Sequence, residues 1–268
     1  MGARFFLHII LICICFDSTI AYAEMIDLNL KDDEMAITFL SLNNGEIALI
    51  HLPDHQYILL TNGQSTNVKQ LKEQLSYFKV NHIQRMLLTS HDAIDVELLT
   101  ELIHKYHVQE VISGKKILFQ KGSVFNTVWQ EGKTYSLSEQ LHAKILWKEM
   151  NPLLLNFQFS FYEHQLVWFS SCSKDGERHI LQLPLKNVNI IKVANYAEEQ
   201  SITEQIVHHM DPQVAIIFYS KNQRPHEDIM KLLNESWIDV YYTKNHGLVT
   251  IKFSPTNYEV ITLPPELK

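Results

Sequence analysis

Phe39-Leu40-Ser41-Leu42-Asn43-Asn44-Gly45-Glu46-Ile47 lies between two short apolar runs, Ala36 to Leu40 and Ile47 to Leu52. Asn43-Asn44-Gly45 is a turn signal, because Asn and Gly accept the left-handed backbone a tight reversal needs. The segment therefore reads as strand, turn, strand. Pro53-Asp54 marks a second reversal, and Tyr57 to Leu60 a third strand, continuing into Thr61-Asn62-Gly63.

Downstream, the pattern changes period. Thr66 to Lys79 carries Val68, Leu71, Leu75 and Phe78 at helical spacing, which predicts a helix with one buried face. Arg85 to Thr89 reads as a strand, Asp95 to Tyr106 as a helix, and Val111-Ile112 as a short strand. The middle is β-rich, with candidate strands at Val124 to Trp129, Ala143 to Trp147, Leu153 to Phe161 and Gln165 to Phe169. Strand and helix then alternate again: Asn189 to Val193, Ser201 to Met210, Gln213 to Tyr219, His226 to Asn234 and Ile238 to Tyr242. A hairpin, Leu248 to Phe253 and Tyr258 to Leu263, ends the pattern. No Gly/Ser linker or repeat divides it. The reading is one α/β domain over 24–268, whose two halves stack sheet on sheet with helices outside in four layers, αββα.

With 268 residues, 46% of them hydrophobic and 20% charged, the chain can bury a full core, which excludes a disordered or fibrous protein. The formal charge of -7 and the lack of a Lys/Arg block give no strong nucleic-acid signal. Residues 1 to 23 read as a signal peptide: Arg4, an apolar run from Phe5 to Phe16, and Ala21-Tyr22-Ala23 as an A-x-A cleavage site. Retention as an anchor is the alternative, although Asp17 interrupts the run before a bilayer-spanning length. The expectation is an exported protein, periplasmic or secreted, with no transmembrane segment in the mature chain and an unknown envelope or extracellular partner. Cys13 and Cys15 leave with the signal. Cys172 is then the one remaining cysteine, so the mature chain forms no internal disulfide.

The order of elements and the wording of five segments resemble the metallo-β-lactamase fold, specifically the exported domain of ComEC-type competence proteins. That family writes F-x-D-V-G-Q-G-D-A and I-L-I-D-T-G where this chain writes Phe39 to Ile47 and Ile58-Leu59-Leu60-Thr61-Asn62-Gly63. Ser41 and Thr61 stand at the two aspartate positions. The family's metal loop, L-T-H-x-H-x-D-H, is matched by Leu88-Thr89-Ser90-His91-Asp92-Ala93-Ile94-Asp95, so Ser90, Asp92, Ile94 and Asp95 replace His, His, Asp and His. Cys172 falls at the metal-bridging aspartate of T-G-D. Asn195 and Tyr196 replace the paired histidines of L-K-V-x-H-H-G-S, and His226 keeps its type in a segment matching N-x-Y-G-H-P. The resemblance covers about Met35 to Phe253. Only 8 glycines, about 3% against the usual ~7%, fit the loss of that family's Gly-rich site loops.

What the resemblance implies is a hydrolase scaffold whose metal ligands are mostly replaced. The leading expectation is a binding or scaffolding protein with no cofactor. The alternative is a phosphodiesterase- or nuclease-like hydrolase using zinc or manganese in a rearranged site of His91, Asp92, Asp95, Cys172 and His226. A third reading is a thiol enzyme, with Cys172 as nucleophile and His226 as base. Other residues have plainer expectations. Asp92 and Asp95 precede a helix and can cap it. His104 and His107 could share a helix face. His208 and His209 suit a helix C-terminus, His51 and His55 are expected to be exposed at the Pro-Asp turn, and Trp129, Trp147, Trp168 and Trp237 are expected to pack in the core.

Overall fold

Fifteen strands form two sheets among the described residues of the computed structural model, which are 25–64, 66–92, 94–119 and 124–264. The signal assigned to residues 1 to 23 lies outside them. In chain order the strands are β1 (Met35–Phe39), β2 (Ile47–Leu52), β3 (Gln56–Thr61), β4 (Arg85–Leu88), β5 (Glu110–Ser113), β6 (Phe125–Val128), β7 (Thr134–Ser136), β8 (Leu141–Met150), β9 (Leu153–Phe161), β10 (His164–Trp168), β11 (Ile190–Lys192), β12 (Val214–Ile217), β13 (Asp239–Tyr242), β14 (Leu248–Phe253) and β15 (Tyr258–Leu263). The helices are α1 (Val68–Tyr77), α2 (Val96–Lys105), α3 (Lys174–Ile180), α4 (Glu204–Met210), α5 (Glu227–Glu235) and α6 (Thr243–His246).

The first sheet is ordered β15-β14-β1-β2-β3-β4-β5-β6 and the second β13-β12-β11-β10-β9-β8-β7. Each combines an antiparallel part, made by hairpins, with a parallel part, made by helical crossovers. Inward residues of both sheets interdigitate, among them Phe39, Ile50, Leu60, Phe157, Trp168 and Ile216. The outer face of the first sheet packs on α1 and α2 through Leu71, Leu75, Leu99 and Leu102. The outer face of the second packs on α3, α4 and α5 through Ile180, Ile206, Met210 and Leu233. The four layers are those expected. Each side chain buried this fully contributes roughly 2 kcal/mol.

Strands with continuous apolar runs are central and covered on both faces, as all of β1 and β2 is buried. That arrangement corrects the expectation for His51. It is 4% exposed, because β2 lies between β1 and β3 and its outer face is roofed by Tyr57 and Phe78, whose rings lie 5.5 and 4.7 Å from the imidazole. His51 Nε2 is hydrogen-bonded to Thr38 Oγ1 (2.9 Å), which in turn meets Thr250 Oγ1 (2.8 Å). His55 is exposed as expected. Trp237 is a second correction: it follows α5 in a left-handed turn at φ 59° and is 94% exposed. α2 also ends before His107, which sits at φ 51° outside the helix and shares no helix face with His104.

A backbone bridge joins the two sheets beyond β4. His91 N–H donates to Leu153 O (2.8 Å), Leu155 N–H donates to Thr89 O (2.8 Å), and Ser90 and Leu154 form an isolated bridge. The segment after β4 is thereby held against the start of β9.

Candidate functional site

Five strands of the two sheets end on one edge of the sandwich: β1 and β3 of the first sheet are followed there by Ser41 and Asn62, and β4, β10 and β11 by Ser90, Cys172 and Asn195. The C-terminal ends of strands are where α/β sheets place ligands, since the loops there are free of ladder constraints.

After β4, the segment is tied down by its own bonds. Thr89 N–H donates to Thr61 O (2.9 Å), Asp92 N–H to Ser90 Oγ (2.9 Å), and Asp95 N–H to Gly63 O (2.7 Å). Asp95 Oδ1 caps α2 by accepting from Leu98 N–H (2.9 Å), the helix-capping role its position allowed. Asp92 is exposed, and the side chain of Ile94 packs against Gly63, whose φ of 73° favours glycine. His91 Nε2 accepts from Lys115 N–H (3.3 Å). Burial, with the Lys115 and Lys148 cations, pulls its pKa down to about 4, so the ring is neutral at pH 7 and its Nε2 lone pair faces the chain.

After β10, the organiser is Asn156 of β9, which sequence reasoning missed. Its Oδ1 accepts from Ser170 N–H (2.7 Å) and Ser171 N–H (3.1 Å), and its Nδ2 donates to Ser171 Oγ (3.2 Å). Cys172 follows and packs on the apolar cluster beneath α3 and α4. Burial, reinforced by Glu177, pushes the thiol up to about 12, so it is not a thiolate at neutral pH. His226 caps α5 through Nδ1, which accepts from Asp228 N–H (3.3 Å). No hydrogen bond or ion pair joins Cys172 to His226, so the structure does not assemble the nucleophile and base of a thiol enzyme.

After β11, Asn195, Tyr196 and Ala197 form a 3-10 turn with left-handed φ values of 44°, 55° and 61°. The turn aims Tyr196 inward, where its hydroxyl accepts from Gly45 N–H (3.2 Å). Burial, then the nearby Glu46 carboxylate, raises the Tyr196 pKa, so the phenol stays protonated. Glu46 itself meets Lys192. The ammonium lies 2.5 Å from Glu46 Oε2, donates to Phe169 O (2.9 Å), and stands over the rings of Trp168 (4.9 Å) and Phe218 (5.7 Å). Lys192 has no exposed surface and Glu46 is 5% exposed. The legible signal was a lysine in an otherwise apolar strand, Ile190-Ile191-Lys192-Val193, which demands a buried counter-charge.

The remaining aspartate positions are filled by short neutral hydroxyls, one making a long-range bond and the other closing a turn. Ser41 Oγ donates to Thr243 O (2.8 Å) and Thr61 Oγ1 accepts from Gly63 N–H (3.0 Å). No protein-family model matches the chain. It superposes on YhfI from Bacillus subtilis, a metallo-β-lactamase fold protein, with a TM-score of 0.61, covering 81% of this chain and 100% of that one at 11% identity. The chain has the metallo-β-lactamase fold. The fold is shared with Zn²⁺-bound PqqB from Methylobacterium extorquens (TM-score 0.55, 10% identity, 81% of this chain and 99% of that one). A diphosphatase from the PhnP family is also similar (TM-score 0.53, 11% identity, 86% and 99%). In sequence, the chain is similar to ComE operon protein 3 of Bacillus subtilis (strain 168), 27% identical over 84 residues. That match spans 30% of this chain and 11% of that protein.

The metallo-β-lactamase fold carries metal in PqqB, and the side chains present here can be tested against such a group. A zinc site needs three or four His, Cys or carboxylate groups converging with free lone pairs. Among the described residues no group of three His, Cys, Asp or Glu side chains converges in that way. At the positions matched to the family's ligands Ser90, Ile94 and Asn195 are not zinc donors, Asp95 is committed to a helix cap, and Cys172 packs on the apolar cluster beneath α3 and α4. The donor set does not fit a di-zinc centre. Among the described residues the edge instead holds the Lys192–Glu46 ion pair, the neutral Tyr196 phenol, and hydroxyls and amides that are mostly bonded to backbone.

Proposed function

We propose that this chain is an exported protein on a metallo-β-lactamase scaffold that binds a partner at the cell envelope or outside it, without a di-zinc centre and without hydrolytic turnover. The observation that carries this reading is the commitment of the matched positions: Asp95 and His226 cap helices, Thr61 closes a turn, Ser41 is bonded to the distant Thr243 O, and Ile94 packs against Gly63. A water-activating site needs open coordination positions and lone pairs directed at metal. Export rests on the A-x-A segment at Ala21-Tyr22-Ala23, and no described helix is long and apolar enough to cross a membrane. Similarity to ComE operon protein 3 supports a competence-related setting.

The test is hydrolysis of bis(p-nitrophenyl) phosphate by the purified protein in zinc- and manganese-containing buffer. The expected result is no turnover above buffer. Turnover that is abolished by chelator and by His91→Ala or Asp92→Ala would establish the rearranged hydrolase instead. Turnover that resists chelator and is lost in Cys172→Ala would establish the thiol enzyme.

A further inference from the structure

A cavity of about 500 Å³ opens beside the first sheet, lined by none of Ser90, Asp92, Ile94, Asp95, Cys172 and Asn195 and touching the strand-end edge at Ser41. Its volume falls in the range of small-molecule sites. One wall is α1, through Gln74 and Tyr77, and the N-terminal segment is pinned beside it by the Ile26 N–H bond to Tyr77 O (2.8 Å). Leu248 and Leu263 add apolar surface from the start of β14 and the end of β15.

The polar lining is of two kinds. Gln70 and Gln74 are already occupied: both donate to Ser41 O (3.0 and 2.6 Å), and their carbonyl oxygens accept from Asn43 N–H (3.1 Å) and Ser41 N–H (3.0 Å). These bonds fix the shape of the wall and leave little for a ligand. Asp27 accepts from Asn29 N–H (2.9 Å). Lys244 differs, since among the described residues its ammonium has no carboxylate partner, and it stands 5.8 Å from the centre of the Tyr219 ring, which lines the same cavity. The Tyr219 hydroxyl likewise has no hydrogen-bond partner among the described residues. The Asp27 carboxylate is exposed on the N-terminal segment, while an ammonium without a carboxylate partner and a hydroxyl without a hydrogen bond stand beside apolar surface, a combination complementary to an apolar body carrying a single anionic head.

We propose that this cavity binds a small amphipathic anion, an acyl-type apolar chain with a carboxylate or phosphate head, with the head at Lys244 and Tyr219 and the chain against Ile26, Tyr77, Leu248 and Leu263. The site adjoins the strand-end edge through Ser41 and Asn43, and its open face lies between α1, the N-terminal segment and the β14–β15 hairpin. Ligand occupancy would tie the N-terminal segment to α1 and the β14–β15 hairpin.

The test is calorimetric titration of the purified full-length protein and its Lys244→Glu and Tyr219→Phe variants. The probes are decanoate below its micelle concentration, decyltrimethylammonium, and phosphatidylglycerol vesicles. Lys244 is an exposed residue and its replacement leaves the core untouched. The expected result is saturable decanoate binding, about tenfold or more weaker in Lys244→Glu and weaker in Tyr219→Phe, as loss of a charge-assisted hydrogen bond requires. Decyltrimethylammonium should prefer the Lys244→Glu variant. Binding confined to the vesicles and sensitive to Lys244→Glu would support the same head-group chemistry with a lipid as its source. No binding of either anionic probe, or binding that Lys244→Glu leaves unchanged, would overturn the proposal.

Discussion

Lys192 and Glu46 form an ion pair at 2.5 Å inside the sandwich, one from the end of a strand in the second sheet and the other from the loop entering β2 in the first. The pair couples the two halves of the chain at the strand-end edge of the sandwich. Burial pulls the Lys192 pKa down while Glu46 opposes it.

Removing one partner strands the other charge. Lys192→Met and Glu46→Gln should each destabilise the protein by about 3–5 kcal/mol in urea unfolding. The double variant should cost less than the sum of the two, giving a coupling energy by double-mutant cycle. Additive losses would show that the charges do not stabilise each other.

His51 makes stability depend on pH in a defined direction. Its pKa is lowered from 6.5 to about 3 by burial, so the unfolded chain binds the proton that the folded one refuses. The stabilisation is full above pH 6.5 and is lost as pH falls from 6.5 toward 3, at up to about 1.4 kcal/mol per pH unit. Half-buried His91 adds a smaller effect of the same sign. Unfolding free energies measured between pH 7.5 and 4.5 should fall with acid, and the slope should be shallower in His51→Gln. An unchanged slope would mean that His51 is solvated.

Asn156 serves two backbone donors at once. Asn156→Ala orphans both in a buried setting and should cost about 2–4 kcal/mol, with faster hydrogen exchange at the Ser170 and Ser171 amides. Protection that survives the substitution would exclude this organising role.

Cys172 should be chemically quiet. With its pKa raised from 9.0 to about 12, its thiolate fraction at pH 8 is lower than an ordinary cysteine's by about a thousandfold. Iodoacetamide labelling followed on the Cys172 peptide by mass spectrometry should be correspondingly slow in the folded protein and ordinary in urea. Rapid labelling of the folded protein would contradict this.

The parts of the fold that sequence patterns revealed are those where one period dominates. The hairpin of Leu248–Phe253 and Tyr258–Leu263 and the strand Leu153–Phe161 have the bounds read from their apolar runs, and α1 and α2 differ from prediction only at their ends. α3 went unseen because Lys-Asp-Gly-Glu-Arg-His-Ile has no apolar period. It forms because Ser173 caps Gly176 N–H (3.1 Å) and because Gly176, lacking a side chain, lets Trp147 lie against it. β7 is three residues of mixed polarity, held by pairing with β8 and by Tyr135 stacking on the buried Trp129. At the site, the sequence displayed which ligand types were missing, but not what replaced them. Asn156 and Tyr196 act through long-range bonds to segments 14 and 151 residues away, and such pairings leave no periodic trace.

The most direct measurement is zinc and manganese content per chain, on purified protein expressed in medium supplemented with both metals and then exhaustively desalted. The account predicts neither metal above the buffer blank. One or two equivalents retained, and lost in His91→Ala, Asp92→Ala or Cys172→Ala, would contradict it and place a working metal centre on this edge.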